Sequence, residues 1–233
     1  MRKKYSYSGW ELQYFDKADQ FRAYQYDLII HHLKDNIAEV GPGNGTLLEK
    51  YINKSKKKIH VFEPTKKFNN ILKKKFKNNV KIFNSFFPKP TAKKKYKTIL
   101  YFDVIEHIKD DKLEILKAYN SLLPYGKLII NVPSYQFLYS EFDKDVNHFR
   151  RYEKTMIKKK LREIKIDNFT MVYYDSIGFF LSLLSKFFSG NYKNNFSLKI
   201  KIWNKLIFVS RILDKITFHY FGKSLLIIIK KTN

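Results

Sequence analysis

Three glycines stand at alternate positions in IAEVGPGNGTL, residues 37–47, between an apolar run and a helix-like stretch. Gly41, Gly43 and Gly45 can take positive φ and offer bare backbone to another molecule. Glu39 precedes them as E-x-G-x-G-x-G. Glu63 closes the next apolar run about twenty residues on, where an acid can hold a ribose diol. A dinucleotide fold shares such an acid, but its fingerprint is G-x-G-x-x-G, which sets a helix N-terminus against a pyrophosphate. Here the third glycine comes one position early and Thr46 follows it, which fits a ligand without a pyrophosphate.

A second group with chemical capacity is NHFRRY, residues 147–152. His148 can take a proton near neutral pH, and so can His107 further upstream. The bland alternatives are an ordinary basic turn for His148 and a helix-start residue for His107. Arg150 and Arg151 present planar forks that recognise carboxylate or phosphate, or one of them pairs with Asp143 or Asp145 to order its own loop. Tyr135 and Tyr152 suit a pocket wall over a substrate and suit core packing equally well. No cysteine is present, which removes disulfides and thiolate metal sites, and no metal-ligand set is read from the sequence.

These residues need elements to hold them. Residues 10–34 carry apolar side chains at helical spacing, and IAEV is a short buried strand. After the glycine turn, TLLEKYINK reads as a helix capped by Thr46. KIHVFEP is a second strand, residues 65–77 a basic helix with Phe68, Ile71, Leu72 and Phe76 inward, and VKIFNS a third strand. FPKPTAKKK is a loop and YKTILYFDVI a fourth strand. DDKLEILKAYNSLL is a helix ended by Pro124 and Gly126, and GKLIINVPS is a fifth strand. Strands alternating with helices demand a parallel sheet with helical crossovers, and apolar runs of this kind suit a sheet covered on both faces. In such sheets a ligand sits beyond the carboxyl ends of the strands. The glycine turn, Glu63 and the residues after the fourth strand all fall on that edge.

The 233 residues suffice for one full hydrophobic core, and 44% hydrophobic with 29% charged residues predicts folding rather than disorder. The net charge of +25 suggests a polyanionic partner. However, the basic runs are lysine-dominated rather than arginine-rich, so a solvated surface is the simpler reading and nucleic acid is not an expected partner. MRKKYSYSGW lacks the apolar core of a signal peptide, and no apolar run reaches 18 residues, which points to the cytoplasm.

At the glycine turn the chain resembles the class I S-adenosylmethionine-dependent methyltransferases, whose first motif is an acid followed by G-x-G-x-G. VFEP, FDVIEHIKDD (102–111) and LLPYGKLIINVPSY (122–135) are similar to the later motifs in order. LYSEFDKDVNHFRRYEK (138–154) resembles the D…GH-RRY stretch of a type 11/12-like subgroup, and GKSLLIIIKK (222–231) resembles its closing strand. The resemblance implies an α/β fold: a Rossmann-like, doubly wound, mostly parallel seven-stranded sheet with helices on both faces and an antiparallel C-terminal strand. It implies one methyltransferase domain over 1–233, with N-terminal helices in 1–35, a cofactor-binding core in 36–175, an apolar helical insertion in 176–221 and a closing strand in 222–233. It implies S-adenosyl-L-methionine as cofactor. Gly41, Gly43 and Gly45 would line its methionine and ribose part, Glu63 with Pro64 would receive the ribose hydroxyls, and Glu39 would orient the loop or the amino end. Asp103 and Val104 would face the methionine moiety. Asn84 and Ser85 stand where the family often has an acid touching adenine, a departure in this chain.

The expected reaction is methyl transfer to oxygen or nitrogen, less readily carbon, of a small-molecule or lipid- or glycan-linked acceptor. His148 and His107 are the expected bases, and Tyr135, Arg150, Arg151 and Tyr152 the expected acceptor contacts. Two rival readings are an NAD-type oxidoreductase on a similar sheet and a non-catalytic basic protein that binds nucleic acid or anionic membrane. IGFFLSLLSKFF (177–188) and IWNKLIFVSRIL (202–213) are apolar but too short to span a bilayer. They read as helices packed on the sheet or as a lid, a dimer face or a peripheral membrane contact through 177–213.

Overall fold

The computed structural model describes residues 7–54, 59–76, 80–87, 96–186 and 192–232. The loop expected over FPKPTAKKK falls almost wholly outside them. Among these residues seven strands form one sheet: β1 (Ile37–Val40), β2 (Ile59–Phe62), β3 (Val80–Phe83), β4 (Tyr96–Phe102), β5 (Leu122–Pro133), β6 (Phe169–Tyr174) and β7 (Ser224–Lys230). Their order is β3-β2-β1-β4-β5-β7-β6. The first five pair in parallel, and β7 runs antiparallel to both β5 and β6. This is the Rossmann-like sheet expected from the motifs.

Apolar residues follow one another along the strands because both faces are covered. In β4, Leu100 and Phe102 pack on one side with Phe21, Tyr24 and Ile29 of α2 (Asp19–Ile29), which follows the short α1 (Leu12–Phe15), and Leu47, Leu48 and Tyr51 of α3 (Thr46–Tyr51). Ile99 and Tyr101 pack on the other side with Ile115 and Ala118 of α5 (Asp111–Asn120) and Ile157 and Leu161 of α7 (Lys154–Glu163). The basic helix α4 (Lys66–Lys75) buries Phe68 and Leu72, with Phe76 just beyond it, and turns its lysines outward.

Two local readings need correction. Thr46 does not cap α3. Gly45 is the cap residue at φ +76°, and Thr46 is already inside the first turn. Nor do Pro124 and Gly126 lie between α5 and β5. The helix stops at Asn120, and β5 already pairs at Leu122 with Tyr96 before resuming as Lys127 with Thr98. Residues 123–126 bulge between these two pairs, where a proline removes no ladder hydrogen bond.

The apolar stretch after Asp175 forms α8 (Ser176–Ser185), α9 (Phe196–Lys205) and α10 (Ile207–Ile216). Buried Asp175 ties all three together. Its carboxylate accepts from Gly178 N at 2.9 Å, Trp203 Nε1 at 2.9 Å and Ser210 Oγ at 3.0 Å. Among the described residues no helix is long and apolar enough to cross a membrane.

Candidate active site

The sheet reverses its winding between β1 and β4, and a cavity opens at the carboxyl ends of those strands. The turn after β1 forms its floor. Gly41 N donates to Phe62 O at 2.9 Å and sits at φ +64°, a region that suits glycine. A Cβ at Gly41 would approach Val104 Cγ2 to 2.7 Å, so the bare backbone lets the loop after β4 close on the first turn. Gly41, Gly43, Pro64, Asp103 and Val104 all line the cavity. Gly45 is not among the lining residues. Its α-carbon faces Phe76 and Leu72 and serves helix packing.

Two buried acids reach the cavity from β1 and β2. Glu63 is 4% exposed and accepts from Thr65 N at 2.8 Å and from the Gly43 amide; burial still pushes its carboxyl upward. Asn84 Nδ2 donates to the carbonyls of Glu63 and Pro64 at 3.3 and 3.4 Å, so it braces the acid's backbone rather than lining the cavity. Ser85 Oγ is buried without a partner, also outside the lining. At the end of β4, Asp103 takes the unusual φ of +56° and accepts from Asn131 Nδ2 at 2.7 Å, with Arg22 Nη1 3.7 Å away.

Glu39 is fully enclosed and accepts the Tyr51 hydroxyl. Burial pushes its carboxyl up to about 7, against the opposing pull of Tyr51 and Arg22. A carboxyl raised by folding stabilises the fold below its unfolded value and loses that contribution as pH climbs to the folded value. Urea unfolding of the wild type should therefore lose about 3 kcal/mol from this group between about pH 4.5 and 7. Glu39→Gln should flatten the curve in that window, and an unchanged slope would remove Glu39 as its cause.

The far wall comes from the loop after β5. Asp143, in the short helix α6 (Glu141–Asp145), is fully buried. It accepts from Arg151 Nε at 2.9 Å, Arg151 Nη2 at 2.8 Å and His148 Nδ1 at 2.8 Å. Hydrogen bonds from His148 and the charge of Arg151 outweigh burial and hold its carboxyl well below the usual range. The His107 and His148 rings meet edge to face with centroids 4.7 Å apart. Burial, with His148 beside it, pushes His107 down to about 3, so this imidazole is neutral at physiological pH. Glu106 is buried with both carboxylate oxygens unpartnered, and burial with Asp103 and Asp143 nearby pushes it well above the carboxylate range.

Among the expected acceptor contacts, the cavity collects Arg151 but not its neighbours. Arg150 Nη1 lies 2.7 Å from Asp111 Oδ2 and also reaches the Ile108 carbonyl, while Nη2 donates to the Lys109 carbonyl. Buried Tyr152 donates to the same Asp111 at 2.8 Å. Tyr135 stacks on Tyr173 with centroids 4.8 Å apart, beside Phe179. All three positions hold the loop rather than face the cavity. Residues without an earlier expectation also line it, notably Arg22, Glu106, Phe142, Trp203 and Lys223. Of these, only Glu106 carried a sequence signal, as the acid beside His107 in the segment after β4.

A mostly parallel seven-stranded sheet with this turn, and a cavity over its switch point, defines the class I S-adenosylmethionine-dependent methyltransferase architecture. A family model for the methyltransferase domain matches residues 11–165, and the chain belongs to that family of methyl-transferring enzymes. Solved structures agree on the fold. An S-adenosylmethionine-dependent methyltransferase from Archaeoglobus fulgidus is 14% identical with a TM-score of 0.61, over 95% of this chain and 97% of that one. A relative from Clostridium acetobutylicum is 12% identical with a TM-score of 0.59, over 93% and 92% of the two chains. Phosphoethanolamine N-methyltransferase 2 of Haemonchus contortus, in complex with S-adenosyl-L-methionine, is 13% identical with a TM-score of 0.63. That match covers this whole chain (100%) and 59% of the other. No curated protein matches by sequence.

Proposed function

We propose that the chain, as one catalytic domain, transfers the methyl group of S-adenosylmethionine to an oxygen or nitrogen of a small or lipid- or glycan-linked acceptor. The observation that carries this reading is one cavity joining two unlike walls. The turn after β1, Glu63 and Asp103 lie on one side, and His148, Glu106 and Arg151 lie on the other. The cofactor fits the first wall. Gly41 and Gly43 leave backbone open to it, Glu63 would accept from its ribose hydroxyls, Glu39 would orient the loop, and Asp103 would offset its positive charge. When bound it supplies an electrophilic methyl group. The chain's own task is then orientation and exclusion of water.

Arg151 suits an anionic part of the acceptor. Its third nitrogen, Nη1, is buried without a partner while the other two hold Asp143. His148 has its Nδ1 fixed by Asp143, which turns its Nε2 toward Glu106 at 3.9 Å on the wall where the acceptor would sit. Calorimetric titration with S-adenosylhomocysteine should show binding in the micromolar class, and no binding would end the cofactor assignment. His148→Ala should keep that binding and lose methyl transfer. Unchanged turnover with any accepted substrate would remove His148 from the site.

A lipid-linked acceptor is favoured by one further observation. Phe208, Ile212 and Ile216 form an exposed row on α10, while the same helix buries Ile207, Ser210 and Asp214. Phe180 and Leu184 of α8, with Leu198 and Ile202 of α9, are exposed too. An exposed apolar row on a chain of net charge +25 suits an anionic lipid surface. Vesicles with anionic headgroups should capture the protein, and Phe208→Ser with Ile212→Ser should release it. Equal capture of both proteins would leave charge alone as the cause.

A further inference from the structure

Glu106, His107 and His148 form a cluster that methyl transfer by orientation alone does not require. Glu106 is fully buried, and among the described residues neither of its carboxylate oxygens has a hydrogen-bond partner. Such a group is costly unless a cation or donor meets it. No lysine or arginine nitrogen within ion-pair distance of it occurs among the described residues, and His148 Nε2 is the nearby nitrogen at 3.9 Å.

Both imidazoles are oriented as metal ligands are. His148 Nδ1 faces Asp143 Oδ1 at 2.8 Å, so it carries the proton and leaves the Nε2 lone pair free. His107 interacts with the backbone carbonyls of Val146 and Asn147, while its Nδ1 is buried and unpartnered. A carboxylate behind one ring and a backbone carbonyl behind the other are the outer partners that fix tautomer and ring angle in metal sites. Asp143 is in turn held by Arg151. One donor atom from each of the three residues lies within 4.8 Å of the others. Ligands of a tetrahedral ion at about 2.1 Å lie about 3.4 Å apart, so inward side-chain shifts of about 1 Å each complete the site.

We propose that Glu106, His107 and His148 bind one divalent transition-metal ion in the wall of the cavity, with open positions that take an oxygen of the acceptor. Two imidazoles and one carboxylate suit a borderline ion such as Zn2+ or Co2+ rather than Mg2+. The three residues all line the cavity, so the open positions face the space beside Asp103 and Gly41. An ion there lowers the pKa of a bound hydroxyl, whose proton passes to water. The acceptor class is therefore a hydroxyl-bearing molecule, favourably a vicinal diol that fills two positions. This acceptor assignment rests on the methyltransferase reading of the cavity, whereas the ion site does not.

The test uses the full chain, stripped with chelator and titrated with Co2+ and Zn2+ by calorimetry and by the visible absorption of bound Co2+. One equivalent is expected in the wild type, with Co2+ bands of nitrogen and oxygen ligation. Glu106→Gln and His148→Gln should each weaken binding by more than the roughly 10–100-fold that loss of an outer-shell partner costs. Thermal unfolding of each variant, and its binding of S-adenosylhomocysteine, report whether the fold and the neighbouring wall are intact. Absence of stoichiometric Co2+ or Zn2+ in a wild type that binds S-adenosylhomocysteine overturns the ion site and spares the methyltransferase reading. Stoichiometric metal that survives both substitutions places the ion elsewhere and also overturns the proposal. Metal binding without S-adenosylhomocysteine binding supports the ion site and counts against the cofactor assignment.

Discussion

Glu63→Ala is expected to weaken S-adenosylhomocysteine binding by about 10- to 100-fold. A hydrogen bond to a charged partner contributes about 1.5–3 kcal/mol, and each 1.4 kcal/mol is a factor of ten. Glu63 is 4% exposed at the end of β2, so water cannot readily replace the lost acceptor. The substitution also frees Thr65 N and the Gly43 amide, which the carboxylate holds in the folded chain. Glu63→Gln retains an acceptor oxygen and should fall between the two proteins. Calorimetry on all three gives the ranking. Equal affinity for wild type and Glu63→Ala would remove Glu63 from the ribose contact and leave it a brace of the loop.

Asp143→Ala should be the most destabilising single change at the site. Asp143 is fully buried and receives two nitrogens of Arg151, itself 5% exposed. Removing one partner of a buried pair strands the other charge, which costs about 3–5 kcal/mol. At about 2–4 °C per kcal/mol for a chain of this size, the melting temperature should fall by roughly 6–20 °C. Asp143→Asn keeps hydrogen-bond capacity and should fall less. The double variant Asp143→Ala with Arg151→Met removes the stranded charge and should recover part of the loss. A double variant no more stable than Asp143→Ala would show that the loss comes from packing and not from charge.

The sheet was legible because its strands are short apolar runs separated by helical periods. The glycine turn was legible because IAEV and VFEP bracket it. The start of β5 was hidden by Pro124 and Gly126, which punctuate most chains but here occupy a bulge opposite Lys97. The arginines of NHFRRY show a different limit. Tyr152 pairs with Ser134 in an isolated bridge, so this stretch is extended and its neighbours point to opposite sides. Arg151 turns to Asp143, while Arg150 and Tyr152 turn to Asp111. Composition marks the whole segment as functional, but only the extended backbone separates the residue at the cavity from the two that hold the loop. Lys223 and Trp203 could not be placed from sequence, because only the packing of α9 and β7 brings residues so distant along the chain to the same wall.

The position of β7 has a consequence for how the protein comes into being. It is made after β6 and lies between β5 and β6, so β6 has no neighbour in the sheet until residues 224–230 have left the ribosome. The same segment carries Lys223 and Ser224 to the cavity wall and lets Ser134 Oγ donate to Gly222 O. A nascent chain can complete the β1–β4 half early, through near neighbours, but closing β5–β7–β6 waits for residues 222–230. Stalling translation before Gly222 should therefore yield a chain with a glycine turn but without the finished cavity. Binding competence therefore follows the synthesis of residues 222–230 rather than that of the glycine turn.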